Sequence, residues 1–440
     1  MLVTAFSGCA ARPVESLPIG DWSPRYAADE PPGTAQALPV ELRTILRLAG
    51  ERALGVSLAK AQAAAAAADR EFAQSQWLPT LQPRVTLLSH EGRLQSTEGV
   101  FFDVDKQSAF GGAAAEIQFN LADAWFDSIA AARRAYAARL GIRTAQHINI
   151  VEAVRLYYDL LEVTASLQIA QRTVTHAEEF VVVQDANEKA GRGLHAHVLR
   201  ANAFRAAAVG RVAVVEARVS ETTARLAGLL VLPIDTKLIP AQGKVEPIEF
   251  NESGLPMPVL IERALGSRPE IAAARSLVAA TEVESDRASW SWVVPELLLG
   301  AEYGAFGFNG SSTHGREDYF ADLRWRWGLG GFARARAADA RFEEQRVRLR
   351  ILEQRARTEL HVAVAAVKSA KARLAAGREE IAAASLALDL VKLRHREGKV
   401  LLLEVLDAET INAAAGTNLV GAICAQNRAQ FELHRLLGVN

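Results

Sequence analysis

The chain has 440 residues, room for two or three ordinary domains, and a formal net charge of −1. That balance, without a clustered Lys/Arg stripe, excludes a nucleic-acid binder, since phosphate recognition needs a basic surplus. Cys9 and Cys424 are the only cysteines, so there is neither a disulfide framework nor a zinc-type cluster, and no apolar run is long enough for a transmembrane helix.

In chain order, the first feature is "AFSGC", where small Ser7 and Gly8 precede Cys9. The arrangement resembles a bacterial lipoprotein cleavage box and makes Cys9 the candidate for lipidation, with Phe6 where Leu is usual. Six prolines fall in the first 39 residues and five between 233 and 258. Proline lacks a backbone donor and fixes φ, so both segments are predicted to be extended linkers. They divide the chain into an N-terminal extension (1–37), a first repeat (38–232), a linker (233–258) and a second repeat (259–440).

Three ordered landmarks define the repeats. "AQSQWLPTLQPRV" at 73–85 matches "ASWSWVVPELLLG" at 288–300, with Pro79 over Pro295. "AEIQFNLAD" at 115–123 matches "DLRWRWGLGG" at 322–331, and "KAGRGLHAHVLRANA" at 189–203 matches "REGKVLLLEVLDAET" at 396–410.

Each repeat opens with a helical segment and continues with two predicted strands, about 81–90 and 113–121, then about 296–306 and 321–329. In the second strand Ile117 and Phe119 lie on an apolar face and Glu116, Gln118 and Asn120 on a polar one. In the fourth, Leu323, Trp325 and Trp327 oppose Arg324 and Arg326. Strands of about ten residues with one apolar face suit a membrane barrel or a half-buried sheet, and six of the seven tryptophans in or beside them favour the barrel. A long helix follows each pair. From Leu352 to Val391 its apolar positions advance by threes and fours with a mean near 3.5, the coiled-coil period. Gly191 and Gly193 (turn about 191–194) and Gly398 (turn about 398–401) mark where each rod reverses. Just beyond, Glu404 and Asp407 share a helix face, and Glu409 projects from another.

No HExxH, nucleophile elbow or P-loop occurs, so no catalytic residue, metal site or cofactor is read. "GLGGFA" at 328–333 imitates a nucleotide loop, but the alternating strand before it is unlike a strand buried on both faces. His195 and His197 diverge on a helix and make no two-histidine site within one chain.

The duplicated helix–strand–strand–long helix–helix order, with "ALGSRPEI" (264–271) and "GKVLLLEVLDAET", resembles the TolC-like outer-membrane efflux channel family and its lipoprotein branch. The departures are Arg268, where the family often has Asn, and "NLADAW" and "GLGGFAR" in place of "LFDGGR". The resemblance implies an α+β membrane protein: a homotrimer closing a twelve-stranded barrel, continued by an α-helical coiled-coil barrel. It would lie in the bacterial outer membrane, extend into the periplasm and carry a lipid anchor at Cys9. It would export small molecules with a periplasmic adaptor (membrane fusion) protein and an inner-membrane transporter, without enzymatic activity. Ile117, Phe119, Leu323, Trp325 and Trp327 would then face lipid, with Glu116, Gln118, Asn120, Arg324 and Arg326 in the lumen. Glu404 and Asp407 match the acidic pair that rings the family's narrow periplasmic tip. The alternatives are a protein (type I) secretion or heavy-metal efflux channel, and a structural coiled-coil protein.

Overall fold

The computed structural model describes residues 37–438 except 79, 234, 242–244, 251–253, 292, 309–311 and 326–327. Cys9, Arg326 and Trp327 therefore lie outside the described residues. The first repeat runs β1 (Ala37–Val40), α1 (Leu42–Arg52), α2 (Leu54–Ser75), β2 (Thr80–Gln95), β3 (Phe101–Asn120), α3 (Leu121–Lys189) and α4 (His195–Leu229). After β4 (Lys237–Pro240) the second runs α5 (Met257–Ser267), α6 (Pro269–Trp290), β5 (Glu296–Phe308), β6 (Ser312–Arg324), α7 (Leu329–Arg396) and α8 (Leu402–Leu436). Equivalent helices have nearly equal lengths: 11 and 11, 22 and 22, 69 and 68, 35 and 35 residues. At about 1.5 Å per residue, α3 and α7 each span roughly 100 Å.

The predicted seam of α7 is the face that packs. Ala356, Leu360, Ala363, Val367, Ala370, Leu374, Ala384 and Leu388 are buried, and Gly377 lets the Leu419 backbone approach closely. The largest cluster lies midway along the rods, where α1, α3, α4 and α8 meet around Ile45, Tyr157, Leu160, Leu226 and Leu230. Each such side chain contributes about 1.5–3 kcal/mol by leaving water. A second cluster joins Leu260 of α5 to Leu360 of α7 and Leu433 of α8. The proline-rich linker is docked rather than free. Its β4 pairs with β1 in parallel, and the buried amide of Asn427 accepts from the Ile248 N–H and donates to the Glu246 carbonyl. Phe250 stacks on His434 and meets Phe431 edge-on.

Four strands form one antiparallel sheet in the order β2-β3-β5-β6. They correct the sequence boundaries. β2 and β3 extend well past the expected 81–90 and 113–121, and β6 begins at Ser312 and ends at Arg324 instead of spanning 321–329. Trp325 therefore follows the strand instead of belonging to it, and its indole N–H donates to the Val293 carbonyl at 3.3 Å. Alternation misses these limits because the upper strands change polarity, and because a Trp beside a strand end matches the pattern without being in the ladder.

The sheet edges and rod edges coincide. Along the upper rods the packing order is α2-α3-α6-α7, and along the lower rods α4-α3-α8-α7. One side of the protomer thus ends in β2, α2 and α4, the other in β6 and α7.

Candidate functional site

The antiparallel register gives every strand the same parity: even-numbered residues share one face, odd-numbered residues the other. Ile117 stands opposite Leu299, and Phe119 opposite Leu297, which in turn opposes Leu323. Glu116, Gln118 and Asn120 fall on the even face, in rows with Gly300, Leu298 and Glu296. Asn120, Glu296 and Arg324 share one row there.

The two faces differ in chemistry. Odd positions from Leu81 to Leu87 and from Leu297 to Ala305 are apolar or aromatic and none is charged, and Val85 and Tyr319 are 80% and 79% exposed. So broad an apolar surface on a protein marks an interaction or membrane face. The even face carries ion pairs. Arg84 of β2 reaches across β3 to Glu302 of β5, and Arg324 holds Asp322 at 2.6 Å. Its aromatic rings lie flat over glycines: Phe110 over Gly112 and Gly304, Phe320 over Gly300, where a Cβ would sit 2.1 Å from the Phe320 ring. Glycine is required at these close approaches, and the rings replace the missing side-chain contacts.

Four described tryptophans lie where strands meet helices: Trp77 and Trp290 before β2 and β5, Trp125 and Trp325 after β3 and β6. All are exposed, at one level of the molecule. Amphipathic rings in a band below an apolar belt fit a membrane–water interface.

At the far end both rods reverse through the same turn. Gly191 and Gly398 each have φ +72°, in the left-handed region that favours glycine. Gly191 N–H donates to Glu188 and Arg192 N–H to Asn187, and Gly398 and Lys399 repeat the pattern onto His395 and Arg394. These are Schellman closures. Gly193 is needed for another reason: a Cβ there would meet the Glu188 nitrogen at 3.0 Å.

After the second turn, α8 buries Leu402, Val405, Leu406 and Glu409, one helical stripe. Leu402 and Leu406 pack on Ala201 and Phe204 of α4 and on Phe180 and Val181 of α3. That stripe forces Glu404 and Asp407 onto the opposite, exposed face. Neither carboxylate has an ion pair among the described residues. His195 lies 2.8 Å from Glu188, and His197 is half-buried.

Glu409 is the group that sequence reasoning missed. Its side chain is 4% exposed, with Oε1 2.6 Å from His176 Nδ1 of α3 and Oε2 3.1 Å from Lys392 Nζ of α7. One carboxylate thus joins three helices, beside a groove of 400 Å³ lined by Arg172, Thr173 and Asn412. The heptad pattern put Glu409 on the buried stripe, which was the available signal. Arg268, a departure from the family pattern, also has a structural role. It is buried, donates from Nε to the Leu436 carbonyl at 2.9 Å and pairs with Glu359, capping the end of α8.

The sheet leaves β2 and β6 as open edges, and the rods end on the same two sides. Residues 260–439 match the family described as outer membrane efflux protein. Against curated proteins the sequence finds no match. Among solved structures the chain is similar to the outer-membrane channel OprN, at 21% identity and TM-score 0.77 over 91% of this chain and 90% of that one. It is similar to the CmeC outer membrane channel of Campylobacter jejuni at 15% identity and TM-score 0.78, covering 90% and 85%. It is also similar to the open state of the Neisseria gonorrhoeae MtrE outer membrane channel at 21% identity and TM-score 0.75, covering 90% and 89%. The family match spans the second repeat, and nine tenths of the chain shares the fold of these channels.

Proposed function

We propose that three copies of the chain close into an outer-membrane exit duct, which passively conducts small molecules delivered by a periplasmic adaptor and an inner-membrane transporter. The coincidence of edges carries this reading. If β6 of one protomer pairs with β2 of the next, α7 of the first meets α2 and α4 of the second, and a single rotation satisfies both layers. Twelve strands then leave no unpaired backbone in lipid. The odd face, with Ile117, Phe119 and Leu323, turns to lipid, and the even face, with Glu116, Gln118, Asn120 and Arg324, lines the lumen. Mass measurement in detergent tests the assembly: a trimer is expected, and a stable water-soluble monomer refutes it.

In the trimer the three copies of Glu404 and Asp407 form a constriction at the periplasmic tip, with Gly191, Gly193 and Gly398 shaping the hairpin ends around it. Like charges about 7 Å apart at an effective dielectric near 40 repel by roughly 1 kcal/mol per pair, so the ring attracts cations. Multivalent cations are expected to block current through reconstituted trimers, and Glu404→Ala with Asp407→Ala to abolish that block. Equal block in both proteins refutes the assignment. Cys9 would anchor the chain to the same membrane. Fatty-acid label should appear on the protein and vanish in Cys9→Ala, and label that persists in that variant removes Cys9 from the anchor.

A further inference from the structure

Pairing of β3 with β5 ends at Ala109↔Gly307, but β2 and β3 stay paired from Leu88↔Ser108 to Gln95↔Phe101. Those eight further pairs make a two-stranded overhang projecting about 27 Å at about 3.4 Å per residue. Along it the faces exchange chemistry. The odd face, apolar below, becomes Ser89, Glu91, Arg93, Asp103, Asp105 and Gln107, with Arg93 Nε 3.0 Å from Asp103 Oδ1, and ends on Gln95 opposite Phe101. The even face, charged below, becomes apolar toward the end: Leu94 stands opposite Phe102, with Val104 and Leu88 further down and the pair His90↔Lys106 between them. Leu94 and Phe102 are 38% and 48% exposed.

A two-stranded hairpin is marginal alone, and this one has an unpartnered apolar face. Its occupant is indicated by position. In the duct proposed above, on which this inference rests, β2 is the seam strand, so one overhang rises at each protomer boundary with its even face toward the common axis. Reach agrees: twelve strands about 4.8 Å apart and tilted about 40° give a backbone radius of roughly 12 Å, less than half the overhang. Gly92 lies within it at φ +140°, a backbone state that only glycine adopts readily, and offers a bend. The end is closed by Ser96 N–H to the Val100 carbonyl at 2.8 Å and by Val100 N–H to Ser96 Oγ at 3.2 Å.

We propose that the three overhangs lean across the outer mouth and pack their Leu94–Phe102 faces against one another, a lid made from three copies of one hairpin.

The test places a thiol at Thr86, on the even face just below the overhang, and adds a bulky, membrane-impermeant maleimide to intact cells. Cys424 contributes no background, because it is fully buried and burial pushes its thiol pKa up to about 12. Labelling of Thr86→Cys should be slow, and Leu94→Asp with Phe102→Asp should speed it several-fold, whereas Asp103→Asn on the outer face changes nothing. Separately, Phe102→Cys should form covalent dimers of this chain when an oxidant is added. Unchanged labelling, absence of dimers, or adducts with another protein overturns the lid. Trimer mass, measured on the same samples, separates that failure from failure of the duct itself.

Discussion

Leu298 and Leu299 are adjacent and chemically identical, yet the register assigns them opposite environments. Leu299 opposes Ile117 and Ala321 on the apolar face, while Leu298 opposes Gln118 and Asp322 on the polar one. Arginine at the midplane of the lipid face of a barrel costs about 2–4 kcal/mol, falling to nearly nothing at the interfaces. On β5 the apolar band runs from Leu297 to Ala305, so Leu299 lies one odd row below its centre. Leu299→Arg should therefore cost about 2–3 kcal/mol, a loss of roughly 30- to 150-fold in the folding equilibrium per protomer. If the even face lines the lumen as proposed, Leu298→Arg meets water and an Asp322 already held by Arg324, so its effect should stay within about 1 kcal/mol. Urea titration of protein inserted into lipid vesicles measures both differences. Equal costs, or a larger cost at Leu298, would refute the assignment of faces.

Glu409→Ala should destabilise the lower rods by about 2 kcal/mol, between the 3–5 of a broken buried pair and the 0–1 of an exposed one, because His176 and Lys392 are each about a third exposed. Faster hydrogen exchange at α8 amides near the tip would register it, and unchanged protection would exclude a role for the carboxylate in holding α8. Gly438→Ala should lower the unfolding midpoint, since φ is +66° and a Cβ would lie 2.4 Å from Ser267 Oγ, which donates to the Leu437 carbonyl. Its counterpart Val231, at φ 56°, already carries a side chain in that region. Val231→Ala should consequently be the milder change, and a larger loss there would contradict the reasoning.

The long rods were legible because a coiled-coil seam repeats over dozens of residues, and its positions from Ala356 to Leu388 are the buried ones. The turns were legible because left-handed backbone nearly requires the glycines at 191 and 398. The fourth strand was misplaced by several residues. Its N-terminal part, "STHGREDYF", is charged on both faces and carries little periodic signal, although the ladder to β5 holds it. Docking of the linker was invisible for a similar reason. It depends on Gln426 and Asn427, amides on a helix whose other residues fit an ordinary seam. Glu409 illustrates the limit at the tip: sequence spacing separated it from Glu404 and Asp407, but only packing made it a three-helix junction.

The central strand pair has a consequence for biogenesis. β3 and β5 pair across about 180 residues of intervening chain, so the join between two local hairpins is the contact that forms late. A chain made from its N-terminus presents β3 before β5, and the hairpin that β3 forms with β2 meanwhile has two open edges and an apolar face. Such edges are templates for misassociation. In the duct proposed above, the edges of β2 and β6 therefore stay hazardous until neighbouring subunits cover them. Dilution of the subunits, which slows their meeting, should lengthen the period in which aggregation competes.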